Sequence, residues 1–391
     1  MNRYQMTFAP RSWAPRLRPV VVKMCAPIRR FKQSREVGLA RVEVRGHEQL
    51  RATIDSGVRV LITPNHPSHA DPFSIYAACD AARTPCHVMA AWHVFMKFSP
   101  IMQRFLQWHG CFSVDREAND IGAFRNAINV LATRPEPLVI FPEGEIYHCN
   151  DRVTPFREGA AAIALGAARK SDAQVAIVPT AIKYRYLDDP TPQILQALDA
   201  IEQRILWRAQ SHKSIVERLY AIAEAVMGLK ELEYLGSAQT GALSTRLRAL
   251  GEEILTRLEA RHGLCGDPFH PVRVKELRRT ILTKANDRQT IEEQLQKLQS
   301  DLDDLYVVMQ LFSYPGDYLR QERPSIERIA ETVDKLEEDV LQQQTATIRG
   351  RREAIVQFGQ PRIVPAAKSR TAVTEITTET QHSVQQLIDS L

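Results

Sequence analysis

The chain has 391 residues, of which 44% are hydrophobic and 25% charged, with a formal net charge of +5. These ordinary values exclude a collagen, a low-complexity polymer and a wholly disordered chain. The length suits two or three domains with a sizeable core. Charge is uneven along the chain: residues 1–45 carry +9 and the other 346 carry −4. The basic stretch is interleaved with Trp13, Val20, Val21, Val22, Met24, Ile28 and Phe31. That mixture suits an anionic bilayer surface, where each cation contributes on the order of 1 kcal/mol. A solvated basic tail and nucleic-acid binding are the competing readings. No run approaches about 18 consecutive apolar residues, so no helical membrane span is expected. The first residues hold no apolar core followed by small residues, so no secretory signal is expected. Cys25, Cys79, Cys86, Cys111, Cys149 and Cys265 form no CxxC pair. They read as reduced thiols in a cytosol-facing protein.

In chain order, VRVLIT (58–63) predicts a short strand ended by Pro64 and Asn65. PFSIYAACDAA (72–82) predicts a helix, with Asp71 as its N-cap and Pro72 in its first turn. CHVMAA (86–91) is a second strand, VFMKFSPIMQRFLQW (94–108) one apolar, aromatic helix, and CFSVD (111–115) a third strand. A helix over 121–131, a strand at LVIF (138–141), an Ala-rich helix over 159–170 and a strand at VAIVPTAI (175–182) follow. Apolar strands alternating with helices of this length predict an α/β fold, a mixed sheet flanked by helices. Residues 191–350 carry helical patterning, including an amphipathic stretch with Ile291, Leu295, Leu298, Leu302, Leu305 and Met309 on one face. Strand pattern returns at 353–364, and a helix ends the chain. The expected organisation is a basic membrane-proximal segment (1–45), an α/β domain (46–190 with 351–391), and a long all-helical insertion (191–350) before the last strand. No internal repeat of 20–50 residues is evident.

Four clusters carry reactive groups. The densest is Asn65-His66-Pro67-Ser68-His69-Ala70-Asp71, between the first strand and its helix, the kind of strand-end loop where α/β folds bind ligands. His66 in the loop and Asp71 at the helix start can meet, which fixes the imidazole tautomer and leaves one nitrogen as a base. A purely structural role, and metal binding by His66, His69 and Asp71, remain open on these residues. The second cluster, Phe112-Ser113-Val114-Asp115-Arg116, places a guanidinium where it can bind phosphate or pair with a neighbouring acid. The third is Phe141-Pro142-Glu143-Gly144-Glu145, two carboxylates flanking a turn glycine. In the fourth, Ile177-Val178-Pro179 puts a proline inside an apolar strand, which predicts an edge or a bulge.

In this order and spacing the clusters resemble the glycerophospholipid acyltransferase family, best known from lysophosphatidate acyltransferases. NHPSHAD is similar to its H-x4-D block, FSVDR to the second, FPEG to the third and IVPTAI to the fourth. PFREGAAAIA (155–164) resembles the helix after the third block, and AIVQFGQPRIV the closing strand. The resemblance covers about 58–188 and 353–391. It implies acyl transfer from acyl-CoA or acyl carrier protein, as co-substrate rather than bound cofactor, to a hydroxyl of a lipid acceptor. His66 would be the general base and Asp71 its orienting partner. The substrate-binding residues implied are Asn65, Asp115, Arg116, Phe141, Pro142, Glu143, Gly144, Arg157 and Pro179, with no metal. Arg116 would take the acceptor phosphate, and Glu143 and Gly144 would shape the acceptor pocket. The implied setting is peripheral, on the cytoplasmic face of a membrane, docked by the basic N-terminus and the 94–108 helix, with no nucleic acid as partner. One departure stands out: where the family continues FPEG with Thr-Arg-Ser, this chain has Glu145-Ile146-Tyr147. A silent relative acting as a lipid-binding or helical scaffold, and a metal-dependent hydrolase, are the rival functions.

Overall fold

The computed structural model describes residues 10–116, 120–265, 270–287, 290–319, 324–366 and 371–391. Residues 1–9 of the basic segment lie outside them. The chain divides into two compact units: the α/β unit, Pro10–Pro190 with Ile348–Leu391, and a helical unit, Thr191–Thr347.

The α/β unit opens with α1 (Pro19–Met24), α2 (Ala26–Val37), β1 (Leu39–Arg45), α3 (His47–Asp55), β2 (Arg59–Pro64) and α4 (Asp71–Ala81). It continues through β3 (His87–Ala91), α5 (Trp92–Met96), α6 (Pro100–Trp108), β4 (Cys111–Val114) and α7 (Ile121–Thr133). Then come β5 (Leu138–Val139), α8 (Gly159–Lys170) and β6 (Val175–Tyr186). The helical unit holds α9 (Thr191–Leu206), α10 (Ile215–Leu235), α11 (Leu243–His262), α12 (His270–Ala285), α13 (Glu292–Ser313) and α14 (Ile326–Val340). The chain then adds β7 (Arg352–Phe358) and β8 (Arg362–Ile363) to the sheet and ends on α15 (Ala372–Asp389).

The sheet order is β1-β7-β6-β2-β5-β3-β4, with β8 also on β6. All pairs are parallel except β6 with β7 and β6 with β8. Successive residues of β2 point to opposite faces, and both faces are covered. Leu61 packs with Leu131, Leu138, Leu165, Ile177 and Ile376, whereas Val60 and Ile62 pack with Leu50, Ile75, Ala78 and Val178. Each such side chain contributes roughly 1.5–3 kcal/mol by leaving water, so apolar runs rather than alternation mark the strands, as expected for a doubly covered sheet.

The α/β class and the sequential strands agree with expectation, and four local expectations change. Residues 10–45 are part of the α/β unit, because β1 pairs along its length with β7. The 94–108 stretch is two helices, α5 and α6, because Ser99 accepts from the Met102 N–H as N-cap and Pro100 opens a new helix. Pro179 is neither at an edge nor in a bulge: it lies buried in β6, between β2 and the β7/β8 side. Val175 and Pro179 turn their carbonyls to Val364 and Gly359, so the donor that proline lacks faces the gap where β8 ends and β7 begins, and no bond to β2 is lost. Ile291 is exposed and sits just before α13, which buries Leu298, Leu302, Leu305 and Met309.

A threefold geometry within the helical unit supplies a further correction, because the joints between α9, α10, α11 and α12 repeat. Arg218 grips Glu202 through Nε and Nη2 (2.9 and 2.8 Å), Arg246 grips Glu231 (2.8 and 2.8 Å), and Arg273 grips Glu259 (2.7 and 2.8 Å). A second acid joins each arginine: Asp199, Glu224 and Glu252. The loop N–H groups of Gln210 and Gln239 donate to Glu202 and Glu231. The joints recur about every 28 residues along the chain. A repeat is therefore present, carried by sparse charged positions rather than by apolar self-similarity.

Candidate active site

The loops following β2, β4 and β5 leave the same edge of the sheet, because these strands run parallel. That edge is where open α/β sheets present ligand-binding loops. After β2, the chain passes through His66 and enters α4 at Asp71. The N-cap position is Ala70, so Asp71 is not the cap expected of it but the first helical residue. Its carboxylate turns back instead: Oδ2 lies 2.6 Å from His66 Nδ1 and accepts the Ser68 N–H at 3.0 Å. The other oxygen, Oδ1, accepts the Tyr184 hydroxyl at 2.6 Å. Ser74, one helical turn after Asp71, lies 2.9 Å from the same hydroxyl. Asp71 is fully buried, and the His66 side chain is 17% exposed. A buried carboxylate with two other donors remains an acceptor, which assigns the proton to His66 Nδ1 and leaves Nε2 as the basic nitrogen.

The turn after β5 forms the other wall. Phe141 stacks on the His66 ring with centroids 4.1 Å apart. Pro142 offers its carbonyl to the Arg157 N–H at 2.9 Å. Glu143 is buried; its Oε1 accepts the His66 N–H at 2.8 Å and its Oε2 the Thr154 N–H at 3.1 Å. Burial pushes the Glu143 carboxyl up to about 7, against the pull of its hydrogen bonds to Thr154 and His66. Gly144 has φ +80°, a conformation that favours glycine, and a Cβ there would stand 2.7 Å from Arg157 Nε and push that side chain aside. Burial also raises the Tyr147 phenol, against the pull of Arg157.

From the loop after β4, Arg116 reaches this turn. Its Nη1 donates to the Gly144 carbonyl, and its Nη2 lies 3.1 Å from Glu145 Oε1. Asp115 is half-buried, and its N–H donates to Asp120, the cap of α7. The fold thus gathers His66, Asp71, Phe141, Glu143, Gly144, Arg157 and Arg116. Three expected residues stand apart. Asn65 is fully buried, and its amide takes the Ile182 N–H and donates to the Ile182 carbonyl (2.7 and 2.9 Å). It extends the ladder of β6 beyond the end of β2. Pro179 is within the sheet, and Asp115 lies just after β4, with its N–H on Asp120. His69, weighed as a metal ligand with His66 and Asp71, turns its ring toward His148 instead, 5.6 Å between centroids.

Tyr184, Ser74 and Thr154 were not among the expected residues. Ser74 was accessible from spacing, being three residues after Asp71. Tyr184 was not, because only the pairing of β6 beside β2 carries a residue 113 positions away to Asp71.

Comparison of the chain with curated proteins finds no match. Residues 41–183 match the family model described as Acyltransferase. That span includes β2, β4, β5, most of β6 and the site residues from Asn65 to Pro179, with Tyr184 one position beyond its end, and it is the family that the four sequence blocks resemble. The chain therefore carries an acyltransferase-family domain over residues 41–183, and acyl transfer is the general activity that this domain supports.

Proposed function

We propose that the protein transfers a fatty acyl group from acyl-CoA or acyl carrier protein to a hydroxyl of a glycerolipid-type acceptor, with His66 as general base. The observation that carries this reading is the His66–Asp71 pair at 2.6 Å inside the acyltransferase-family domain. Nε2 would take the acceptor hydroxyl proton as the oxygen attacks the thioester carbonyl. The C–O bond forms, the C–S bond breaks, and the proton passes to the departing thiolate. Asp71 faces the imidazolium that forms and stabilises it. Phe141 and the Glu143 bond to the His66 N–H hold the ring and its backbone in place.

A lipid surface is the proposed setting. Val20, Met24, Ile28 and Phe31 of α1 and α2 are exposed beside Lys23, Arg30 and Lys32, and Ile101 of α6 is 85% exposed. Arg18 donates to the Trp108 carbonyl, so α1 begins against the end of α6. Apolar side chains among cations suit the headgroup region of an anionic bilayer. Among the described residues no helix is long and apolar enough to cross a membrane.

The test is thiol release from long-chain acyl-CoA, and then from acyl carrier protein, with liposomes and a panel of glycerolipid acceptors. Acceptor-dependent release should fall by about 10²–10⁴-fold in His66→Ala. Equal release by wild type and His66→Ala, or none with either donor, would sink the proposal.

A further inference from the structure

The turn from Phe141 to Glu145 joins two chemistries. Phe141 lies on the His66 ring, and four residues later Glu145 pairs with Arg116. Four residues span at most about 14 Å, so one lipid acceptor can touch both ends of the turn. Arg116 is held on both arms, by the Gly144 carbonyl and by the Glu145 carboxylate. The two side chains are only 18% and 11% exposed, and salt screens such a pair far less than one in open water.

A guanidinium in a strand-end loop is by chemistry an anion site, and here the protein supplies the anion. A phosphate monoester brings close to two negative charges. To reach Arg116 it must meet the Glu145 carboxylate, and displacing that carboxylate leaves it shielded from water next to the phosphate. The second guanidinium of the turn, Arg157, packs over the Gly144 backbone and hydrogen-bonds the Tyr147 phenol. A neutral hydroxyl-bearing headgroup meets none of these costs.

Resting on the acyltransferase reading, we infer that the acceptor is a neutral glycerolipid alcohol without a phosphate monoester, and that Glu145 sets this preference by holding Arg116 as an internal counter-ion. The transfer balances without phosphate. The thioester C–S bond breaks, the ester C–O bond forms, and the hydroxyl proton ends on the thiol.

The experiment compares monooleoylglycerol with oleoyl lysophosphatidate, which differ by the phosphate alone. The donor is oleoyl-CoA or oleoyl acyl carrier protein, and the full chain is assayed as wild type, Glu145→Gln and Glu145→Thr. The wild type should favour monooleoylglycerol in kcat/KM by at least about tenfold. Either variant should move that ratio toward lysophosphatidate by about tenfold, mainly through the lysophosphatidate KM. A wild-type preference for lysophosphatidate, or a ratio unmoved in both folded variants, overturns this inference and leaves acyl transfer standing. Turnover of neither acceptor with either donor overturns the acyltransferase reading, and this inference with it.

Discussion

Asp71 collects donors from three places in the chain: the His66 imidazole, the Ser68 N–H and the Tyr184 hydroxyl. The first two lie in its own motif, but the third arrives from β6, and burial drives its phenol well above the ordinary range, so it stays a donor. Tyr184 touches only Asp71 and Ser74 within this network and acts on the base through the carboxylate, which makes it a positioning residue. Tyr184→Phe should lower kcat about tenfold with little change in KM. Because Ser74 acts through the same hydroxyl, adding Ser74→Ala should cost nothing further; additive losses would show that the two act separately. Glu143 offers a second prediction. Its carboxyl titrates at about 7 when folded and at the ordinary 4.5 when unfolded. A group raised on folding contributes no penalty below 4.5, a growing one between 4.5 and 7, and the full penalty above, on the order of 3 kcal/mol. Urea unfolding of wild type and Glu143→Gln across pH 4.5–8 should therefore show a wild-type stability that falls with rising pH relative to the variant. A flat difference over that window would refute the assignment. The pairing of His66 with Asp71 was legible from the HxxxxD spacing, since a loop histidine and a first-turn acid are close neighbours. The setting of Glu143 was not, because its two partners, His66 and Thr154, lie on either side of it in the sequence and meet only at the sheet edge.

The elements show where local rules were enough and where context overrode them. Ser99-Pro100 is a helix-start signal, and it divides a stretch whose apolar pattern reads as continuous. Pro179 breaks the rule for interior strands only in appearance, because the side it leaves without a donor faces a change of partner. Beyond the end of β2, Asn65 and Asn150 take over its place, each giving and receiving a bond with the β6 backbone at Ile182 and Tyr184. In the helical unit a buried Arg–Glu joint stands at each of the three junctions from α9 to α12. Glu231 is 1% exposed and also accepts the Gln239 N–H, and its pairing with Arg246 holds the carboxyl below its ordinary range. Glu231→Ala would leave Arg246 buried beside Glu224 alone, and the variant should lose about 3 kcal/mol in urea unfolding. Replacing both partners by apolar residues, Glu231→Leu with Arg246→Met, should recover most of that. A double variant as unstable as the single would mean that the joint supplies more than charge compensation.

Across the whole molecule, the chain leaves the sheet after β6, forms helices α9–α14 among the described residues, and returns with β7, which lies between β6 and β1. The strand-like run after residue 350 was visible in the amino acids, but its antiparallel pairing with β6 and parallel pairing with β1 were not. Pairing depends on which edges lie free when the strand arrives. Apolar periodicity, helix-start residues and the spacing of short motifs were sufficient for the α/β class, for most element positions and for the His66–Asp71 pair, because each depends on interactions within a few residues. The contacts of Tyr184 with Asp71, of Arg116 with Glu145 and of Asn65 with Ile182 come from the order of the strands. They join residues 29–117 positions apart, and no local rule of propensity or capping reaches that far.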